Sequence, residues 1–166
     1  MDIVYRKATL DDLPEINDLV KNAIIEMEKS NIHQWDDIYP TAEDFKIDIN
    51  DNSAYIGILD ERIVVVFVLN KKYDIEYENG NWKDLEKSYY VIHRLCINPK
   101  NQNKGIGKKT LRYIENEVST LGCEAIRLDV FEKNPYALKL YYAFGYEKVG
   151  YADWRKGRFY LMEKYL

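Results

Sequence analysis

The chain is short of cysteine, of long apolar runs and of positive charge, and each shortage removes a class of protein. Its two cysteines, Cys96 and Cys123, fall in a strand-like run and just after a helix-like one, with no paired spacing. That excludes a disulfide framework, and both read as structural free thiols. No stretch approaches the roughly 20 apolar residues of a membrane span, and the opening "MDIVYRKATL" carries no secretion signal. A soluble, cytoplasmic protein that works away from membranes is expected. With 28 acidic residues against 24 basic ones and an isoelectric point near 5.3, the chain lacks the basic face of a general nucleic-acid binder. Repeats, low-complexity runs and Pro/Gly/Ser-rich linkers are also missing, so residues 1–166 read as a single domain. What is plentiful is aromatic: 15 tyrosines and 3 tryptophans, enough for a core, an interface or the wall of a pocket.

Residues 2–7 alternate apolar and polar like a half-buried strand. Thr9 with Asp12 forms a capping-box pattern, and Leu13, Ile16, Leu19, Val20, Ala23, Ile24 and Met27 recur at helical spacing, with Pro14 early enough to be tolerated. Thr41 and Asp44 repeat the signal for a short helix reaching about residue 50. "AYIGIL" and "RIVVVFVLN" flank Asp60-Glu61 as a hairpin, and the polar segment 72–88, with Asn79-Gly80 inside it, reads as an exposed loop or insertion. "YYVIHRLCIN" is a strand stopped by Pro99. Leu111, Ile114, Val118 and Leu121 then mark a helix ending at Gly122. "AIRLDVF" is a buried strand, and Asn134 caps a helix with Pro135 at its first position and Gly145 at its end. The last two strands meet as a hairpin around Lys156-Gly157. The order β-α-α-β-β-β-α-β-α-β-β implies an α/β fold built on one mixed, twisted sheet with helices on its faces.

Between strand and helix lies "NQNKGIGKKT", a turn whose glycines let backbone N–H groups converge on an anion at a helix N-terminus. It is not a Walker A loop, because Gln102 stands where the first glycine belongs and Lys109 separates Lys108 from Thr110. Nor is it a Rossmann fingerprint, since Thr110 occupies the third glycine position. A nucleotide-binding protein is therefore disfavoured. The run Gln102-Asn103-Lys104-Gly105-Ile106-Gly107 does match Q-x-x-G-x-G, and "NPYALKLYYAFGY" downstream matches N-x-x-A-x-x-L-Y-x-x-x-G-[FY] at every defined position. Together these resemble the coenzyme A loop and the following helix of the GCN5-related N-acetyltransferase (GNAT) superfamily. The motifs cover roughly residues 89–146, and the order of elements covers the whole chain.

The resemblance implies a sheet of about seven strands and about four helices, with acetyl-CoA lying where two parallel strands, "YYVIHRLCIN" and "AIRLDVF", splay apart. It assigns the backbone of Leu95, Cys96 and Ile97 to the pantetheine arm. The pyrophosphate goes to the N–H groups of Gln102, Asn103, Lys104, Gly105, Ile106, Gly107 and Lys108. Asn134 is implied as a further cofactor contact as well as a cap. Tyr141 is implied as the acid for the departing sulfur, with Tyr142 on another part of the helix surface. For the base, the resemblance offers His93, where the arylalkylamine branch carries a histidine, or Asp129, where the ribosomal-protein-acetylating branch carries a carboxylate. A Cys96 acyl intermediate lacks an evident histidine partner. The loop "SNIHQWDDIYPTAEDF" falls where the family builds its acceptor wall. Trp35 and Tyr39 can clasp an apolar or cationic group there and Asp36 and Asp37 can attract an amine, or the loop is an acidic surface pinned by aromatic packing. The implied reaction is acetyl transfer from acetyl-CoA to a small-molecule or peptide amine. No metal and no nucleic acid take part, and a homodimer is left open. The alternative is a non-catalytic acyl-CoA sensor.

Overall fold

The computed structural model describes residues 2–166. Among them are seven strands and four α-helices, and the strands form one mixed sheet in the order β1-β2-β3-β4-β5-β7-β6. The fold is thus α/β, as the order of elements implied. Two compact units are distinguished along the chain, one of Met1–Leu69 with Arg94–Thr110 and the other of Asn70–His93 with Leu111–Leu166.

In the first unit β1 (Val4–Lys7) pairs antiparallel with β2 (Ala54–Leu59), which pairs antiparallel with β3 (Arg62–Asn70). The β2–β3 turn is tight because Asp60 and Glu61 both take left-handed φ, 49° and 63°. α1 (Leu13–Lys29) begins one turn later than the capping pattern suggests: Leu10–Asp12 forms a 3-10 turn first. Thr9 N–H donates to Asp12 Oδ2 at 2.7 Å, so the box closes on that turn, and Pro14 falls where a helix needs no N–H. α2 (Ala42–Asn50) is capped as its sequence implies, with Thr41 N–H donating to Asp44 Oδ2 and Asp44 N–H to Thr41 Oγ1. The apolar stripe of α1, Phe45 and Ile49 of α2, and Trp35 pack with Ile56, Val66, Val68 and Cys96 into one core. Each such side chain removed from water contributes about 1.5–3 kcal/mol.

In the second unit the first half of β4 (Tyr89–Ile97) runs parallel to β5 (Ala125–Phe131), in register from Tyr89↔Ala125 to Ile92↔Leu128. β5 pairs antiparallel with β7 (Gly157–Tyr165), and β7 with β6 (Glu147–Trp154), a hairpin. α3 (Ile106–Thr120) follows the glycine turn, and α4 (Pro135–Ala143) follows β5. Segment 72–88 is mostly exposed, yet it is more than a loop. It contains a 3-10 turn, Ile75–Asn79, and buries Tyr77. The polar flanks hid this, because one buried ring is enough to tie down a segment that is otherwise hydrophilic.

Candidate functional site

The glycine turn belongs to the first unit. Pro99–Asn101 forms a 3-10 turn capped by Asn98, whose Oδ1 accepts from Lys100 N–H at 3.1 Å. Asn103 (φ 62°) and Gly105 (φ 76°) are both left-handed, which swings the chain into α3. Asparagine tolerates that region and glycine enters it freely. A Cβ built on Gly105 would meet nothing within 4 Å, so the backbone there is open to an approaching group. The first N–H groups of α3, from Ile106 onward, have no helical carbonyl to receive them and carry the positive end of the helix dipole. Gln102, Asn103, Lys104 and Lys108 are exposed, whereas Ile106 is buried and fixes the turn from below. Thr110, one turn into α3, shares a 3.0 Å hydrogen bond with the Tyr5 hydroxyl on β1. These donors suit a polyanion such as a pyrophosphate, and the residues present fit the phosphate end of acetyl-CoA.

Along the second half of β4, Leu95 and Ile97 are half-buried and Cys96 is buried in the helical core. Burial pushes the Cys96 thiol up to about 12, so no thiolate is available at neutral pH. Arg94, just before them, is left-handed inside a strand, φ 49°. Its guanidinium donates from Nε and Nη2 to Asp48 Oδ2 and Oδ1 at 2.8 and 2.6 Å, and from Nη1 to the Tyr39 hydroxyl at 2.8 Å. Sequence reasoning passed over Arg94, although the adjacent polar pair His93-Arg94 breaks the alternation of the strand, as a bulge would.

The same contacts place the loop between α1 and α2. Tyr39 is exposed and tied to Arg94, while Trp35 is buried in the core. Asp36 Oδ1 accepts from the N–H groups of Ile38 and Tyr39, so this carboxylate shapes the turn, and Asp37 is exposed. Of the aromatic pair, Tyr39 presents a surface and Trp35 anchors the loop.

The proton-handling candidates belong to the second unit. Tyr141 is buried on α4, its ring edge-on to Tyr146 at 5.6 Å. Burial, and then the charge of Asp129, hold its phenol well above the usual tyrosine range, so it keeps its proton. Tyr142 is exposed. Asn134 Oδ1 accepts from Ala137 N–H at 3.1 Å, the cap its sequence implied. Asp129, half-buried on β5, accepts from the Tyr77 hydroxyl at 2.6 Å. Tyr77 was missed at the sequence level; the only hint is the density of rings at Tyr73, Tyr77, Trp82 and Tyr89 in a polar stretch. His93 Nε2 lies 2.8 Å from Asn70 Oδ1. That oxygen also accepts from Lys72 N–H at 2.9 Å, which fixes the orientation of the amide. His93 Nε2 must then be the donor, and a neutral His93 carries its lone pair on Nδ1.

A family model described as Acetyltransferase (GNAT) family matches residues 21–146, and the chain belongs to that family. Acetyl-CoA is the acetyl donor that goes with it. Over 103 residues the chain is 33% identical to a spermine/spermidine N(1)-acetyltransferase of Bacillus subtilis, a match covering 59% of this chain and only 62% of that relative's length. Among solved structures, a GNAT-family acetyltransferase of Streptococcus agalactiae superposes with a TM-score of 0.87 at 22% identity, over 99% of this chain and 95% of that one. A PaiA N-acetyltransferase of Thermoplasma acidophilum, solved in complex with coenzyme A, gives 0.73 at 18% identity over the full length of both. Among the described residues no helix is long and apolar enough to cross a membrane.

Proposed function

We propose that residues 1–166 act as one acetyltransferase domain that moves the acetyl group of acetyl-CoA to a primary amine by direct attack within a ternary complex. The observation that carries this reading is Tyr141: a buried phenol, held protonated beside a carboxylate, at the motif position from which the family protonates its leaving group. Bound acetyl-CoA supplies an activated thioester carbonyl.

The chain's own residues would do the rest. The N–H groups of 102–108 hold the pyrophosphate, Lys104 and Lys108 add positive charge, and the backbone of Leu95, Cys96 and Ile97 aligns the pantetheine amides, with Asn134 as a further contact. His93, through Nδ1, or Asp129 takes the proton that keeps the amine neutral. Tyr141 Oη donates to the departing sulfur and delivers its proton there as the C–S bond breaks, and the buried phenolate left behind, the stronger base, regains a proton from the ammonium product or solvent. Tyr39, Asp36 and Trp35 line or shape the acceptor side. Spermidine and spermine are the first acceptors to test, because the curated relative carries them in its name and an ammonium suits an acidic, aromatic loop.

The test is thiol release from acetyl-CoA across polyamines, simple amines, amino acids, aminoglycosides and short peptides. Saturable release with one class supports the enzyme and names its acceptor. Coenzyme A binding with no turnover on any class would overturn catalysis in favour of an acyl-CoA sensor.

A further inference from the structure

Segment 72–88 is latched to the sheet at several points. Asn81 N–H donates to Val149 O at 2.8 Å, and Lys83 N–H donates to Glu163 Oε1 at 2.9 Å, with the Lys83 ammonium paired to Glu147. Trp82 Nε1 donates to Tyr77 O at 2.8 Å. The buried Arg127 guanidinium lies between two rings, 3.9 Å from the centre of Tyr89 and 4.5 Å from that of Trp82. Gly150 lies close against this strap, since a Cβ there would fall 2.9 Å from Asn79 O. One residue of the strap is buried. Tyr77 is stacked between Tyr73 and Trp82 and delivers its hydroxyl to Asp129.

We infer that Tyr77 is a positioning residue: the strap exists to hold its phenol on Asp129, keeping that carboxylate ionised and in one rotamer for the acetyl-transfer site. The inference rests on the acetyltransferase reading for its purpose, though not for its physics. A hydrogen bond donated to a carboxylate favours the charged form, and burial of the acceptor strengthens it. Tyr77 itself cannot give up the proton, since burial first and Asp129 next raise its phenol well above the tyrosine range, with Asp74 of the strap adding to this. Besides Tyr77, His93 follows the paired Ile92 on the neighbouring β4. Tyr141 of α4 keeps its proton, and across the sheet Asp129 pairs with the apolar Leu161 of β7. Tyr77 donates to the Asp129 carboxylate at 2.6 Å, so removing that donor acts directly on the Asp129 proton equilibrium.

The experiment follows the Asp129 carboxyl by carbon-13 NMR against pH in wild type and Tyr77→Phe, with Asp129→Asn identifying the signal. Phenylalanine keeps the stacked ring and removes only the donor; if that variant folds poorly, fluorotyrosine placed at position 77 keeps ring and hydroxyl, strengthens the donor and should move the titration down. The expected result is a titration moved up by about one pH unit or more, with the acid limb of kcat/KM moving alongside it. An unmoved Asp129 signal in a folded variant overturns the inference, and so does a moved signal with an unmoved acid limb. Wild-type protein that turns over no amine counts against the acetyltransferase reading, while the NMR titration still decides whether Tyr77 governs Asp129.

Discussion

Asp48 and Asp129 are carboxylates drawn below the surface in different units, and they are answered differently. Asp48 is met by a full positive charge, the two-pronged guanidinium of Arg94. Asp129 is met within its unit by a neutral phenol, that of Tyr77. An ion pair closed on itself is architecture: Arg94 ties α2, β4 and, through Tyr39, the loop between α1 and α2 into one piece. A carboxylate held by a neutral donor keeps its charge for other work. The same contrast runs through the two units. The first offers main-chain geometry suited to an anion, and the second offers buried phenols that keep their protons beside a carboxylate.

If that division is right, the largest effect should come from spoiling the main-chain geometry. Gly105→Glu puts a negative carboxylate into the anion turn and a side chain on a left-handed backbone, φ 76°. Coenzyme A affinity by calorimetry should fall at least about 100-fold, a loss of ~2.7 kcal/mol. Gly105→Ala separates the causes. Its Cβ meets no neighbour, so only the backbone penalty of about 1–2 kcal/mol remains, and most of the affinity should survive. Equal losses in both would mean that the turn is strained rather than electrostatic.

In the second unit, Tyr141→Phe should lower kcat by about 100-fold and leave coenzyme A affinity within about threefold, since it removes an acid and little surface. Unchanged turnover at saturating substrate would return Tyr141 to the status of a core ring beside Tyr146.

How much of this was legible beforehand follows the same line. The turn and the α4 motif are local patterns of glycine, asparagine and tyrosine, and their positions could be read directly. The order of all eleven elements could be read too, because capping boxes and apolar periodicity are also local. Tyr77 on Asp129 joins residues 52 apart, through a segment whose composition says loop, and no local pattern encodes that. Arg94 on Asp48 joins residues 46 apart, and only a break in strand alternation hinted at it. Phosphate recognition by backbone leaves a trace in sequence; pairing of side chains across a fold does not.

A third change probes the architectural carboxylate. Arg94→Ala strands Asp48, whose side chain is only 6% exposed, without its cation. The cost should be about 3 kcal/mol, lowering Tm by roughly 6–12 °C in a chain of this size. Adding Asp48→Ala should recover a good part of that, because the penalty is the unpaired charge rather than the lost contact.

The smallest effect separates a buried pair from a surface one in the same unit. Arg6 donates to Asp12 at 2.7 and 2.9 Å, but the arginine side chain is 44% exposed. The Arg6 hydrogen bond holds the Asp12 carboxyl below the usual carboxylate range, with Thr9 N–H helping, while burial holds Asp48 above it despite Arg94. The signs are therefore opposite. A carboxyl lowered on folding adds stability above its unfolded value of about 3.9 and loses it as pH falls through its folded value. A carboxyl raised on folding gives up stability as pH rises between those two values. Asp12→Asn should accordingly cost at most about 1 kcal/mol at pH 7, with solvent screening, and nothing once the solution is acid enough to protonate wild-type Asp12. Asparagine still accepts from Thr9 N–H, so the cap survives and the difference isolates the charge. The absence of a Tm gap at pH 7 would mean that Asp12 acts as a cap alone, and a gap that persists undiminished at low pH would mean that the loss is not one of charge.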